Sequence, residues 1–154
     1  MAEENTQELV IYTDGGCLGN PGPGGWACVI IDGQKENALS GGEKYTTNNR
    51  MELMAAISAL KACLENPLWV GRKIKVFSDS QYVKNGITLW IENWKKNGWR
   101  TAAKKSVLNK ELWEELDFYY NKLNIDWAWV KGHTGVKYNE MCDQLCQKEM
   151  SVFK

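Results

Sequence analysis

The sequence predicts an α/β fold of the mixed, α+β kind, in which a sheet is flanked by helices. Three apolar runs come first, and the turn dipeptide Asp32-Gly33 joins the second to the third, which favours an antiparallel meander. A helical segment of crossover length, Thr47–Leu64, then precedes a fourth apolar run. Because such crossovers are right-handed, the fourth strand is expected to lie parallel to the first and beside it.

Each predicted strand rests on an apolar run bounded by turn residues. Leu9–Thr13 is almost continuously apolar, as expected of a central strand that is covered on both faces. The Gly- and Pro-rich segment 15–25 is predicted to be a loop, since these residues are the strongest breakers of regular structure. The other predicted strands are Trp26–Ile31, about Ala38–Tyr45, Lys73–Ser78 and Ile125–Val130.

Helices are predicted between and after these strands. Thr47, Asn48 and Asn49 offer N-cap side chains for the long helix that ends near Leu64. A helix from about Asn109 to Leu123 has apolar residues at helical spacing, namely Leu112, Leu116, Tyr119 and Leu123. The remaining predicted helices are about Ser80–Asn85, Leu89–Asn97 and Lys137–Lys148.

Composition is that of an ordinary globular protein. Of 154 residues, 44% are hydrophobic and 25% are charged, which predicts one domain over residues 1–154 rather than a disordered chain. No apolar run approaches the ~20 residues of a membrane span, and Met1–Glu8 is polar and acidic, so neither a membrane partner nor a signal peptide is expected. We predict a cytoplasmic protein, and a monomer because no large exposed apolar stripe stands out.

The cysteines agree with a reducing compartment, because their number, five, is odd and no pair has zinc-knuckle spacing. Cys142 and Cys146 stand one helical turn apart and could bind a soft metal together with His133. Buried free thiols are the more common explanation for such residues.

Charge is distributed unevenly along the chain. The formal net charge is zero, which by itself argues against nucleic-acid binding. Residues 95–110 nevertheless carry six positive side chains and no acidic one, namely Lys95, Lys96, Arg100, Lys104, Lys105 and Lys110. A basic segment together with an acidic site elsewhere predicts a polyanion bound in one place and metal ions in another.

Two carboxylates follow predicted strands that are expected to be neighbours. Asp14 ends the first strand, and Asp79 follows Lys73–Ser78. Ligands of open α/β sheets bind at the carboxyl ends of the strands, so we expect these side chains to lie side by side at such a site. For Asp14 alone, a tight turn with a solvated carboxylate explains the sequence equally well.

Two further carboxylates lie on predicted helices. Glu52 shares a helix face with small residues, which indicates close packing on the sheet: Ala55, Ala56, Ala59 and Cys63. A carboxylate on such a face is poorly solvated unless it is paired or bound to a cation. Asp143 shares a polar stripe with Asn139 and Gln147, beside the apolar stripe of the last helix.

Clustered carboxylates raise each other's pKa unless cations neutralise them. Oxygen-only ligation selects Mg²⁺ or Mn²⁺, and two such ions ~4 Å apart clamp the attacking and leaving oxygens of a phosphodiester displacement. The alternative is that each acid is a solvated surface group or a cap. That alternative weakens because three of the four fall at strand ends or on buried helix faces.

His133, the only histidine, lies in a Gly-flanked loop shortly before Asp143. A histidine beside a metal site suits proton transfer, because its side chain titrates near neutral pH. An exposed loop histidine without a role is the ordinary expectation, and its place before the Asn139/Asp143 helix favours the functional interpretation.

Five spaced motifs make the chain resemble the bacterial type 1 ribonuclease H family (ribonuclease HI). The resemblance runs from about Leu9 to Glu149, the core of the predicted domain. The motifs are YTDGGCLGNPGPGG at 12–25, TTNNRMEL at 46–53, SDSQYV at 78–83, WKKNGW at 94–99, and VKGHTG with NEMCD at 130–143. Their number and order make the resemblance specific.

The resemblance implies a ribonuclease H-like fold, in which strands 1–3 are antiparallel and strands 4 and 5 run parallel to strand 1. It implies Mg²⁺-dependent hydrolysis of the RNA strand of an RNA–DNA hybrid by a two-metal-ion mechanism, leaving 5′-phosphate and 3′-hydroxyl ends. The metal ligands that it implies are Asp14, Glu52, Asp79 and Asp143, with His133 assisting.

The resemblance also implies substrate contacts. Positions that contact the hybrid near the site correspond to Asn20, Asn48, Asn49 and Gln81, and Thr47 matches a residue of a pocket for a DNA phosphate. Asn139 adds a further short amide, and such amides can read 2′-hydroxyls. Gly15 and Gly16 are expected to let the RNA strand approach closely.

Residues of about 90–105 match the family's basic handle, a substrate-binding segment whose presence favours a stand-alone enzyme. Its cations are expected to follow phosphates without reading sequence: Lys95, Lys96, Arg100, Lys104 and Lys105. Trp90 and Trp94, one turn apart, are expected to pack the handle onto the domain. Trp99, between Gly98 and Arg100, is expected to contact a sugar or phosphate.

Two other function classes stay open. A catalytically inactive module that binds hybrids or duplexes is the first, and the complete set of four carboxylates argues against it. A fold relative acting on DNA, such as an integrase or a resolvase-type nuclease, is the second, and the asparagines and the basic handle disfavour it. One departure from the family pattern is Val136, which stands where some bacterial members carry a second histidine.

Overall fold

Five strands form one mixed sheet in a computed structural model of the chain, which describes residues 8–101, 107–130 and 137–153. The strands are β1 (Leu9–Cys17), β2 (Gly22–Asp32), β3 (Lys35–Thr46), β4 (Lys73–Ser78) and β5 (Asn124–Trp129). Their order across the sheet is β3-β2-β1-β4-β5. The pairs β1–β2 and β2–β3 are antiparallel, whereas β1–β4 and β4–β5 are parallel, so the predicted meander and crossover are confirmed.

The helices follow the predicted order. They are α1 (Asn48–Glu65), α2 (Gln81–Asn85), α3 (Ile91–Lys96), α4 (Lys110–Lys122) and α5 (Lys137–Ser151), with a π-helical turn at Gly86–Trp90 between α2 and α3. Thr47 caps α1, because its side-chain oxygen accepts a hydrogen bond from the backbone N–H of Arg50 at 3.2 Å.

The Gly- and Pro-rich segment is mostly strand, and the prediction of a loop over residues 15–25 is therefore wrong. β1 continues to Cys17, and Gly16 pairs with Gly25 in the β1–β2 ladder. The glycines are needed there because helices approach the sheet closely. A Cβ on Gly15 would collide with the backbone of Met51 in α1, and one on Gly25 would lie 2.5 Å from the carbonyl oxygen of Cys146 in α5.

Helices cover both faces of the sheet. On one face, the helices α1 and α4 bury a large core with side chains from β1 and β4: Leu9, Ile11, Leu53, Leu60, Ile74, Val76, Trp113 and Leu116. On the other face, α5 packs on β2 through a smaller cluster: Ala27, Val29, Cys142, Cys146 and Met150. β1 lies at the centre and is covered on both sides, as its continuous apolar run predicts.

The cysteines are all free thiols, and four of them are buried. Burial raises the pKa of the Cys142 thiol to about 12, so the thiol stays protonated at neutral pH. Its Sγ donates to the carbonyl oxygen of Tyr12 at 3.5 Å. Cys142 therefore behaves as a packing residue of the α5 core, which argues against the soft-metal alternative.

Among the described residues, no helix is both long enough and apolar enough to cross a membrane.

Candidate active site

Three of the four predicted carboxylates line one narrow cleft. Asp14 comes from β1, Glu52 from the second turn of α1, and Asp79 from the residue that follows β4. Thr13, Gly15, Ser78 and Ser80 complete the lining. The strands β1 and β4 are parallel, and Tyr12 and Phe77 form the last pair of their ladder. Asp14 and Asp79 each lie two residues beyond that pair, so both are at the carboxyl end of the β1–β4 pairing.

The crowding of carboxylates in this cleft is visible in the pKa of Glu52. Its pKa is raised to about 7, mainly because burial disfavours the ionised form, and also because Asp79 and Asp14 repel the charge. One contact acts in the opposite direction, since the hydroxyl of Ser80 donates to Oε1 of Glu52 at 2.9 Å. The cleft therefore concentrates negative charge where water solvates it poorly.

This donor set fits a hard divalent cation, which would compensate the charge that raises the pKa of Glu52. The carboxylates suit such a cation by their chemistry, although they are not arranged at the distances of a metal-binding site. Within residues 8–101, 107–130 and 137–153, no three His, Cys, Asp or Glu side chains are grouped closely enough to hold a metal ion.

Ser80 is a site residue that the sequence did not single out. It is 5% exposed and caps α2, where its Oγ accepts from the backbone N–H of Val83 at 3.0 Å while donating to Glu52. A serine after Asp79 at a helix start could have been recognised as a cap. Its contact with Glu52 could not, because the two residues are far apart in the chain.

The fourth carboxylate, Asp143, lies on α5 and reaches the site from the other side of Asp14. Both residues line a second cleft of about 240 Å³, together with Gly16, Asn48 and Gln147. Asp14 and Gly15 belong to both clefts, so the four carboxylates are distributed over two adjoining clefts that share these two residues of β1. Asn139, one turn before Asp143, is 6% exposed and lines neither cleft.

The two glycines after Asp14 differ in their surroundings. Gly15 packs against the backbone of α1 at Met51, which is reason enough for a glycine there. A Cβ on Gly16 would have no atom within 4 Å. Gly16 is therefore the glycine with open space in front of it, and the expectation of a close substrate approach applies better to Gly16 than to Gly15.

The predicted short polar side chains gather beside the start of α1. Asn20, Thr47 and Asn49 line a pocket of about 220 Å³ together with Leu108 and Asn109, two residues that the sequence did not single out. The carboxamide oxygen of Asn20 accepts from the backbone N–H of Asn48 at 3.0 Å, which ties the β1–β2 connection to α1. Gln81 is exposed at the first position of α2, directly after Ser80.

The basic handle is described only as far as Thr101. Lys95 and Lys96 lie in the last turn of α3, and Lys95 pairs with Glu92 at 3.7 Å and with Asp117 at 3.4 Å. Arg100 lines a groove of about 270 Å³ beside the tryptophans of the handle. Lys104 and Lys105 lie outside the described residues, and so does His133.

Tryptophan packing attaches the handle to the domain, as predicted for Trp90 and Trp94. Trp90 contacts Tyr82 with ring centroids 5.8 Å apart, and Trp94 contacts Trp113 of α4 at 5.5 Å. Trp99 packs on Trp94 at 6.3 Å and is half-buried, so part of its ring serves the same packing. Its contact with a sugar or phosphate stays a prediction.

Comparison with known proteins agrees with this geometry. The family model of RNase H matches residues 6–151, nearly the whole chain. The chain belongs to the RNase H family. Ribonuclease H of Phenylobacterium zucineum is 54% identical over 146 residues, covering 95% of this chain and 92% of that protein. The resemblance to bacterial type 1 ribonuclease H is thereby confirmed.

Solved RNase H structures share the fold. LC9-RNase H1, described as a type 1 RNase H with the type 2 active-site motif, has a TM-score of 0.84 and 28% identity, covering 97% of this chain and 74% of its own. LC11-RNase H1 in complex with an RNA/DNA hybrid has a TM-score of 0.70 and 23% identity, covering 94% and 97% of the two chains. The predicted RNase H-like sheet is confirmed.

Proposed function

We propose that the chain is a Mg²⁺-dependent endoribonuclease that hydrolyses the RNA strand of RNA–DNA hybrids and leaves 5′-phosphate and 3′-hydroxyl ends. The observation that carries this proposal is the cleft shared by Asp14, Glu52 and Asp79, with Asp143 across Asp14 in the adjoining cleft. Family membership supports it, as does the hybrid bound by LC11-RNase H1.

In this proposal Asp14, Glu52, Asp79 and Asp143 hold two Mg²⁺ ions, for which Mn²⁺ can substitute. When bound, such ions lower the pKa of a water nucleophile and stabilise the leaving oxygen of the phosphodiester. Asp14 is the carboxylate that lines both clefts, so it would help to hold the ions in either one. Ser80 holds the carboxylate of Glu52 in one orientation through its hydrogen bond at 2.9 Å.

His133 is proposed to move a proton near the site during turnover. Because it assists and does not hold metal, His133→Ala should slow turnover without abolishing it. An unchanged kcat for this variant would remove His133 from the mechanism.

Substrate contacts divide by chemistry. The short polar groups around the clefts and the start of α1 are proposed to read the sugars and bases of the hybrid: Asn20, Asn48, Asn49 and Gln81, with Gly15 and Gly16 giving access. Asn139 is 6% exposed, so only a small part of its surface is open for the hybrid contact proposed for it. Thr47 lines the pocket beside α1 and is proposed to contact a DNA phosphate. The cations of the handle and Trp99 are proposed to follow the backbone farther away, which gives affinity without sequence preference.

The test is cleavage of a labelled hybrid with Mg²⁺ and with EDTA. Wild-type protein should cut the RNA strand only with Mg²⁺, and Asp14→Asn should bind the hybrid but leave it uncut. Asp126→Asn is the matched control, because Asp126 is an exposed carboxylate on β5 that lines neither cleft. Intact RNA in every arm of a wild-type assay would refute the proposal.

The same assay, repeated with duplex DNA and with duplex RNA and accompanied by a binding measurement, decides between the alternatives. Binding without cleavage would indicate the inactive hybrid-binding module, and cleavage of duplex DNA would indicate a DNA-acting relative. We further propose that the chain acts as a single RNase H domain over residues 1–154, as a monomer in the cytoplasm.

A further inference from the structure

A row of three aromatic rings lies on the α5 side of the sheet, next to the carboxylates. Tyr12 of β1 stacks on Phe77 of β4, with ring centroids 4.8 Å apart and planes 11° from parallel. The two residues are direct neighbours in the parallel ladder. On its other side Tyr12 contacts Tyr138 of α5, at 5.3 Å and 32°. The aromatic row therefore joins the elements that lead to Asp79, Asp14 and Asp143.

Tyr138 begins the stripe along which α5 contacts β1. One turn farther on, Sγ of Cys142 donates to the carbonyl oxygen of Tyr12 at 3.5 Å. After another turn, Sγ of Cys146 donates to the carbonyl oxygen of Asp14 at 3.5 Å. These contacts determine the position of α5 along the length of β1, which is the register of the helix on the strand. Asp143 directly follows Cys142, so its approach to Asp14 depends on this register.

A charged residue contacts each end of the aromatic row, Glu36 at Tyr138 and Lys75 at Phe77. The hydroxyl of Tyr138 donates to Oε2 of Glu36 in β3 at 2.6 Å, and Nζ of Lys137 lies 3.5 Å from the same oxygen. At the other end, Nζ of Lys75 lies 5.7 Å from the ring centroid of Phe77. A hydrogen bond to a carboxylate is short and stronger than one between neutral groups, so Glu36 holds the Tyr138 ring in one orientation.

We propose that Tyr138 is a positioning residue for Asp143. Its ring, seated on Tyr12 and held by Glu36, sets the register of α5 on β1 and thereby places Asp143 opposite Asp14. The inference rests on the proposed function, since it concerns the geometry of the same carboxylates. A displacement of about 1 Å at a catalytic group is enough to lower a rate strongly, whereas it changes substrate affinity little when the binding surfaces lie elsewhere.

The test compares Tyr138→Leu, which removes the ring, with Tyr138→Phe, which keeps it. Tyr120→Leu is the matched control, because Tyr120 is an exposed tyrosine of α4 that contacts Trp127 and lines neither carboxylate cleft. For each full-length variant we would measure kcat and KM on a hybrid with Mg²⁺. We would also measure Mn²⁺ affinity of the protein alone, from the electron paramagnetic resonance signal of free Mn²⁺.

Tyr138→Leu should lower kcat by at least about fivefold with KM within about twofold, and should weaken Mn²⁺ binding. Tyr138→Phe should restore most of both, and Tyr120→Leu should leave both unchanged. Equal kcat and Mn²⁺ affinity in the two leucine variants would overturn the inference and leave Tyr138 a packing residue.

Two arms keep the test decisive. If Tyr138→Leu does not fold, Glu36→Ala decides, because it removes the carboxylate that accepts from the Tyr138 hydroxyl and leaves the ring in place. A kcat reduced about two- to threefold supports the inference, and an unchanged kcat overturns it. If wild-type protein cleaves no hybrid, the proposed function fails, and Mn²⁺ affinity alone then decides whether Tyr138 positions Asp143.

Discussion

Replacing Glu52 by glutamine should stabilise the metal-free protein at alkaline pH, although it removes a proposed catalytic group. Burial and the neighbouring Asp79 and Asp14 raise the pKa of Glu52 from 4.5 to about 7. In the unfolded chain the group ionises near its ordinary value. The folded state therefore holds its proton more tightly, and the stability that this contributes is present below the unfolded pKa and is lost as pH rises to about 7.

The magnitude follows from the size of that shift. Each pKa unit corresponds to about 1.4 kcal/mol, so the rise from 4.5 to about 7, roughly two and a half pKa units, gives a difference of about 3 kcal/mol. At pH 8 in EDTA, Glu52→Gln should unfold with a free energy higher than wild type by about this amount, and at pH 4 the two should be equal. Glutamine keeps an oxygen that can accept the hydrogen bond of Ser80, so that contact can survive.

The assay is urea denaturation in EDTA at pH 4, 6 and 8, repeated at pH 8 with Mg²⁺. Glu114→Gln, an exposed position on α4, is the matched control and should change stability little at any pH. Mg²⁺ should stabilise wild type more than Glu52→Gln, because the cation compensates the repulsion that the substitution removes. Equal stabilities at pH 8, or a difference that does not change with pH, would refute the reasoning.

Three further predictions test packing, an ion pair and the basic handle. Gly15→Ala should cost about 3 kcal/mol in urea denaturation because its Cβ meets the backbone of α1, whereas Gly16→Ala should cost under about 0.5 kcal/mol; equal costs would contradict the packing explanation. Asp32→Asn should cost about 2 kcal/mol at pH 7, because Oδ1 of Asp32 pairs at 2.9 Å with buried Arg72. The bond with Arg72 lowers the pKa of Asp32, so the cost of Asp32→Asn should shrink as the pH falls below the ordinary pKa of an aspartate. A cost that does not change with pH would count against the Asp32–Arg72 ion pair. Neutralising Lys95, Lys96 and Arg100 together should lower the log–log salt slope of hybrid binding, by less than about 3 because Lys95 already pairs with Glu92 and Asp117. Dissociation constants at several salt concentrations measure the slope, and an unchanged slope would exclude the handle from phosphate contact.

Much of the fold could be predicted from local signals. The turn dipeptide Asp32-Gly33 and the cap at Thr47 act over a few residues, so their consequences, the meander and the start of α1, are visible in the sequence. The prediction of a loop over residues 15–25 is wrong because it too rests on a local signal. Glycine has a strong local meaning as a breaker, but here it permits helices to approach strands, which is a tertiary requirement.

For the site, the sequence by itself determined the candidate residues and the elements that carry them. Asp14 lies in β1 just beyond its parallel pairing with β4, and Asp79 directly follows β4. Their nearness follows from apolar runs and the handedness of one crossover. Only the tertiary structure decided how the carboxylates are held. The hydrogen bond from Ser80 to Glu52 and the contact of Tyr138 with Tyr12 join residues from different elements. The raised pKa of Glu52 likewise depends on burial and on charges brought near by folding. Such effects depend on distance in space, which sequence separation does not record.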